Sequence, residues 1–229
     1  MRSVKNNRRG VALLTCVLIV SAASASSGFA QTTVTTDKLI NQLAGLETPV
    51  EIDVVALRQQ AAERIKAKAK TDAAPQKRPP ITDQFSKLPQ FVADIKFDPD
   101  TSVIRPESYR LLGQIADALY HPTLVPYKFL IVGHTESTGR RENNLILSQR
   151  RADAIRDVLV NTFKISAKRF HTLGLGEEQM QDSNRPSSST NQQVQLVTVG
   201  LRADMAPSSE AAAAPRKENA KNAKKKKSR

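Results

Sequence analysis

Residues 133–152, GHTESTGRRENNLILSQRRA, join a polar loop to a long amphipathic stretch, and the rest of the chain has to be arranged around that junction. The preceding KFLIV run (residues 128–132) has the length and β-branched content of a buried strand, which Gly133 is expected to end. Thr135, Glu136, Ser137, Thr138 and Gly139 are small, polar or turn-forming, so a loop follows, and Asn143 or Asn144 can cap the next helix. Leu147, Ala154, Ile155, Val158, Leu159 and Phe163 then recur at helical spacings and form one face packed on a sheet. Arg151 falls on that same face, four residues after Leu147 and three before Ala154. Its guanidinium therefore lies near the sheet and requires an anionic partner.

The flanking segments supply the other layers. Phe91, Ala93, Ile95 and Phe97 alternate with Val92, Asp94 and Lys96, the pattern of a strand with one covered face. Pro106 and Glu107 suit a helix start, Leu111, Leu112, Ile115, Ala116 and Leu119 form its buried face, and His121-Pro122 stops it. Residues 170–175, ended by Gly174 and Gly176, and residues 194–199 complete the order strand, helix, strand, helix, strand, strand. An α+β fold follows: a mixed four-stranded sheet with two main helices on one face.

The spacing from Thr135 and Glu136 through Gly139, Asn144, Leu147 and Ser148 to Arg151 and Ala152 resembles the signature of the OmpA-like peptidoglycan-binding domains, over roughly residues 90–200. The resemblance implies a β-α-β-α-β-β domain that binds diaminopimelate in the wall peptide, Glu136 on its ammonium and Arg151 on its carboxylate. Thr135 and Asn144 belong to the same signature, and FDPD (residues 97–100) resembles the family's first binding-loop segment, which would place Asp100 at the pocket rim. The family usually carries Asp where this chain has Glu136. One methylene longer, that carboxylate could reach Arg151 itself and form a direct pair in the free protein. LGLGEE (residues 173–178) resembles a structural turn of the family. Gln192 and Gln193 stand where the family usually has arginines, replacing charge by neutral hydrogen bonding.

Outside this domain, residues 1–30 read as an export signal: Arg2, Lys5, Arg8 and Arg9, an apolar run from Val11 to Ala23, and Gly28-Phe29-Ala30 before the expected cleavage. The run is about 13 residues, short of the ~20 of a spanning helix. An uncleaved segment would instead give an inner-membrane-tethered module of the stator kind. Cys16, inside that run, is the single cysteine, so the mature chain has no thiol nucleophile and no thiolate metal site. Residues 31–87 form an extension with short helices, one at 37–43 and one capped by Asp53 and running to about Lys70 with Val54, Leu57, Ala61 and Ile65 on one side. That stripe is narrow, and the far end, residues 66–70, alternates Lys with Ala and reads as a solvated helix, with partner docking as the alternative. TDAAPQKRPP then forms a stiff linker into a domain at 88–200.

The net charge of +13 is concentrated at the ends: four positives in the leader and a net +7 in residues 216–229 leave about +2 for the folded part. Residues 201–229 read as a disordered polybasic tail that could touch anionic envelope surfaces, and export argues against nucleic acid. His121, His134 and His171 lack ligand spacing, and His134 reads as a loop-packing residue. No nucleophile elbow, phosphate loop or zinc-hydrolase helix is present in the sequence. The expectation is an exported, cofactor-free, non-enzymatic peptidoglycan-binding module of the periplasm, associated with the outer membrane or cell wall. A degenerate scaffold on the same fold is the alternative.

Overall fold

The computed structural model describes residues 35–46, 50, 52–66 and 80–202. The leader, the stretch 67–79 and residues 203–229 lie outside them, and with them the expected cleavage site, most of the Pro-rich linker and the basic tail. The described residues belong to one unit that begins at Val34.

Four strands, β1 (Gln90–Ala93), β2 (Tyr127–His134), β3 (Phe170–Gly176) and β4 (Val194–Leu201), form one sheet in the order β1-β4-β2-β3. β2 runs parallel to β3 and antiparallel to β4, and β4 is antiparallel to β1. The mixed sheet expected from the element order is therefore present. Phe129–Val132 of β2 are fully buried on both faces, which is why this central strand reads as a continuous apolar run and not as an alternation.

On the first face lie α3 (Tyr109–Tyr120) and α4 (Arg141–Asp157). Leu112, Ile115 and Leu119 of α3 and Ala152, Ile155 and Leu159 of the α4 segment meet Phe129, Ile131 and Phe170 in one core. α1 (Thr36–Leu43), capped by the Thr35 hydroxyl on Lys38 N–H, adds Leu39 and Leu43 to it. Burying a Leu side chain fully contributes about 1.5–3 kcal/mol, so α1 is held by these two residues.

The second face is covered by α2 (Val54–Lys66), which begins as foreseen, with Asp53 accepting from Ala56 N–H at 2.9 Å; the expected continuation over residues 67–70 lies outside the described residues. Ala61 and Ile65 are buried, and Ala61 packs with Leu130, Val132, Leu173, Leu175, Val197 and Val199, alongside Phe85 and Leu88. Without this cover, the sheet would expose a continuous apolar face. Arg58 adds a bond from its Nη2 to the Thr172 carbonyl.

Three corrections concern ends. The ladder of β1 stops at Ala93, and the alternation Ile95, Phe97 continues inward without it, through an isolated bridge between Phe97 and Ile104. α4 begins at Arg141, so Asn143 and Asn144 lie inside the helix and cap nothing; Arg140 is the N-cap and makes no side-chain capping bond. Gly133 and Gly174 do not end their strands. A Cβ on Gly133 would stand 2.2 Å from the Ser148 carbonyl oxygen, and one on Gly174 2.4 Å from Gln149 N. These glycines let α4 lie directly on the sheet.

Candidate functional site

The close crossing of α4 over β2 and β3 determines where Arg151 sits. Ser148 Oγ accepts Gly176 N–H at 2.8 Å and donates to the Leu145 carbonyl, while Gln149 Oε1 accepts Gly174 N–H at 2.8 Å. With that turn of helix bolted to the sheet, the next inward position is Arg151, only 2% exposed. Its Nε donates to the Thr101 carbonyl at 2.9 Å, and its guanidinium carbon lies 4.8 Å from the centroid of the Phe97 ring. Nη1 is buried and makes no hydrogen bond. Burial lowers the pKa of this arginine, and the negative charges of Asp100 and Glu136 oppose the shift.

The turn that presents Thr101 is built from FDPDTS. Asp98 N–H bonds the Val103 carbonyl, Thr101 N–H bonds the Asp98 carbonyl, and Asp100 takes a left-handed φ of 55°. Its exposed carboxylate makes no hydrogen bond or ion pair among the described residues.

The 135–140 loop is anchored at both ends. Thr135 N–H bonds the Gly176 carbonyl at 2.9 Å, and Ser137 N–H bonds the Pro186 carbonyl at 2.9 Å. Asn144 Nδ2 reaches the Glu136 carbonyl at 3.4 Å and Glu177 Oε2 at 2.9 Å. Arg141 Nη2 holds Glu178 Oε1 at 2.6 Å. Asn191 stabilises the neighbouring loop that supplies Pro186: its Nδ2 donates to the carbonyls of Asp182, Arg185 and Pro186. Only the backbone of Glu136 takes part in this scaffold. Its half-buried carboxylate makes no hydrogen bond or ion pair among the described residues; it acts on Arg151 only through its charge, and the direct Glu136–Arg151 pair does not form.

Between the Asp100 turn, the 138–140 loop and α4 opens a cleft of about 410 Å³. Of the five residues singled out in the sequence, Asp100 and Asn144 line it. Arg151 and Thr135 are buried, and the Thr135 hydroxyl has no partner. Leu147, expected to be fully inward, lines the cleft instead, beside the exposed Ile146 and Arg150. Sequence reasoning missed the supports: Phe97 and Thr101 beneath Arg151, and Arg141, Glu177 and Glu178 behind the loop. The signals for these were FDPD, which pointed to Asp100 and not to its neighbours Phe97 and Thr101, and the pair of acids following Gly176, which read as an ordinary turn.

His134, two residues before Glu136, is 7% exposed, and its imidazole is pushed down to about 4 by burial, against opposing hydrogen bonds from the Gln195 side chain and the Gln179 backbone. Among the described residues no group of three His, Cys, Asp or Glu could hold a metal ion, and no helix is long and apolar enough to cross a membrane.

Comparison with known proteins gives relatives of one kind. Outer membrane porin F of Pseudomonas aeruginosa is 39% identical over 85 residues, 37% of this chain and 23% of that protein. The peptidoglycan-associated lipoprotein of Brucella melitensis is 38% identical over 84 residues, 37% of this chain and 48% of its own length. The chain thus spans less than half the length of either. A crystal structure of the peptidoglycan-associated lipoprotein from Burkholderia pseudomallei is similar at 25% identity with a TM-score of 0.39, over 56% of this chain and 96% of that one. The family model described as OmpA family matches residues 96–193, which carry the Asp100 turn, β2, the Glu136 loop, α4 and β3. Over residues 96–193, then, this chain is similar to the OmpA family.

Proposed function

We propose that this chain is an exported, non-catalytic module that binds peptidoglycan non-covalently through the diaminopimelate of its stem peptide and so links the cell wall to the envelope. The observation that carries the reading is a buried guanidinium with an unpartnered Nη1, set near two carboxylates, Asp100 and Glu136, that are themselves unpaired. An unsatisfied donor on a buried cation is costly, commonly about 1–3 kcal/mol, and is retained where a ligand completes it. The far end of diaminopimelate offers the complementary zwitterion. Its carboxylate suits Arg151, and its ammonium suits Glu136 or Asp100. The relatives' names, an outer membrane porin and a peptidoglycan-associated lipoprotein, support the same assignment and a place at the outer membrane or wall.

Because Nη1 is buried, the ligand carboxylate reaches it only when the Asp98–Thr101 turn or the 135–140 loop moves outward. Binding then includes a cost for opening the cleft, and weak affinity for a short peptide is expected. The test is retention of the purified protein on insoluble diaminopimelate-containing peptidoglycan. Wild type should sediment with the wall and Arg151→Ala should not. If both remain in the supernatant, the binding assignment fails, and a scaffold that keeps the fold without the ligand is left.

A further inference from the structure

The second face of the sheet is only partly covered. α2 and the Phe85–Leu88 segment close it over β2 and β3, but toward β1 and the start of β4 it opens into a trough of about 540 Å³. An open face of an antiparallel strand pair is commonly solvated and polar. This one is paved with amides. Six glutamines line it, Gln42, Gln90, Gln179, Gln181, Gln193 and Gln195, with the His134 imidazole at one end. Lys38 at the rim is the one charged side chain among the described lining residues. Val92, 41% exposed, and Met180 supply apolar surface.

The amides are organised. Gln195 sits between Gln90, which it meets through Nε2, and the His134 Nε2 at 3.4 Å. Gln193 bonds Gln181 across the mouth of the trough. Gln179 is tied to the backbone of Thr82 through both ends of its amide. Each side-chain amide has two donors and two acceptor lone pairs, so these contacts leave much of the array's capacity unused.

From this arrangement we infer that the glutamine trough is a second binding site, for the neutral acetamido-sugar backbone of the same wall polymer whose charged peptide enters the Arg151 cleft. The inference rests on the wall-binding reading above, and three observations select the ligand class. An uncharged array gives no ion-pair stabilisation to an anion or cation, whereas hydroxyl and acetamido groups match amide donors and acceptors one for one. The backbone groups of β1 and β4 point along the sheet and not out of its face, so an extended peptide laid over the glutamines finds no ladder to join; strand addition is open only at the outer edge of β1. Finally, His134 at the end of β2 lines the trough and Glu136 follows two residues later, so one short stretch of chain joins the two sites and suits a polymer with a neutral backbone and a charged branch.

The test uses the full exported chain, isotope-labelled, and follows the glutamine side-chain amide resonances during titration with a peptide-free trimer of N-acetylglucosamine. Saturable shifts are expected at Gln90, Gln193 and Gln195, with affinity reduced at least tenfold in Gln195→Glu, which is nearly isosteric, and in a Gln193→Ala/Gln195→Ala double variant. Arg151→Ala should leave the trimer response intact. No saturable shift, or an equal response in the glutamine variants, would show a merely solvated face and overturn the inference. A neutral capped trialanine that shifts the same resonances more strongly than the sugar would overturn it in favour of a peptide site. A diaminopimelate peptide titrated separately reports on the Arg151 cleft, so failure there with the trimer response intact sinks only the earlier reading.

Discussion

Two arginines are buried in this domain, and they are buried differently. Arg169, at the start of β3, spends all of its guanidinium nitrogens on backbone carbonyls: Nε on Tyr127 at 3.2 Å, Nη1 on Leu119 at 3.0 Å and Nη2 on Leu124 at 2.7 Å. It also lies 5.3 Å from the Phe129 ring centroid. Arg151 has the same kind of aromatic neighbour in Phe97 but a single carbonyl bond and an orphaned Nη1. Burial lowers the pKa of both, that of Arg169 to about 10, and carboxylates resist the shift only at Arg151. A fully satisfied buried cation is a clamp, here tying the end of α3 and the turn after it to the sheet. An incompletely satisfied one, near carboxylates that have no ion-pair partner among the described residues, is the receptor of the function proposed above.

The largest expected effect comes from breaking the clamp. Arg169→Ala removes the donors of three buried carbonyls and should cost about 3–5 kcal/mol in urea unfolding, whereas Arg151→Met, which keeps the volume and removes an unsatisfied charge, should stay within about 1 kcal/mol of wild type. Comparable losses for the two variants would erase the distinction.

A pH-dependent difference of intermediate size is expected at the far side of the Glu136 loop. The folded His134 imidazole titrates at about 4 against an ordinary 6.5. The unfolded chain therefore binds more protons between these values, so stability is full above about 6.5 and falls as pH drops toward about 4, by up to about 3 kcal/mol. Subtracting the stability profile of His134→Gln from that of wild type removes the carboxylate titrations common to both. A flat difference would mean the imidazole is not held neutral by burial.

The smallest effect distinguishes the two carboxylates of the receptor. Calorimetry with a diaminopimelate peptide should give about tenfold weaker binding for Glu136→Gln, equivalent to ~1.4 kcal/mol, and equal or tighter binding for Glu136→Asp. Equal affinity in all three proteins would leave Asp100 as the ammonium partner.

The readable part of this fold was the part governed by periodicity. The buried run of β2, the inward stripe of α3 and the position of Arg151 on the covered face of α4 follow from spacing alone, because a side chain's direction on a regular element is set by its index. Ends were less legible. Asn144 resembles a cap in sequence, yet it is an interior helical residue whose amide joins Glu136 to Glu177, since the helix starts wherever its first turn finds support. Gly133 and Gly174 looked like stops because the helix that presses on them comes from elsewhere in the chain.

By itself, then, the sequence determined the order of elements, the family signature and the presence of one buried cation on a sheet-facing helix. Only the tertiary structure decided three matters: that α2 covers the second sheet face, that Glu136 leaves Arg151 unpaired, and that glutamines from four separate segments converge beside His134. The physical reason is common to all three. Whether a polar group is satisfied, or an apolar stripe covered, depends on residues distant in sequence brought within hydrogen-bonding or packing distance, and local patterning carries no record of those partners.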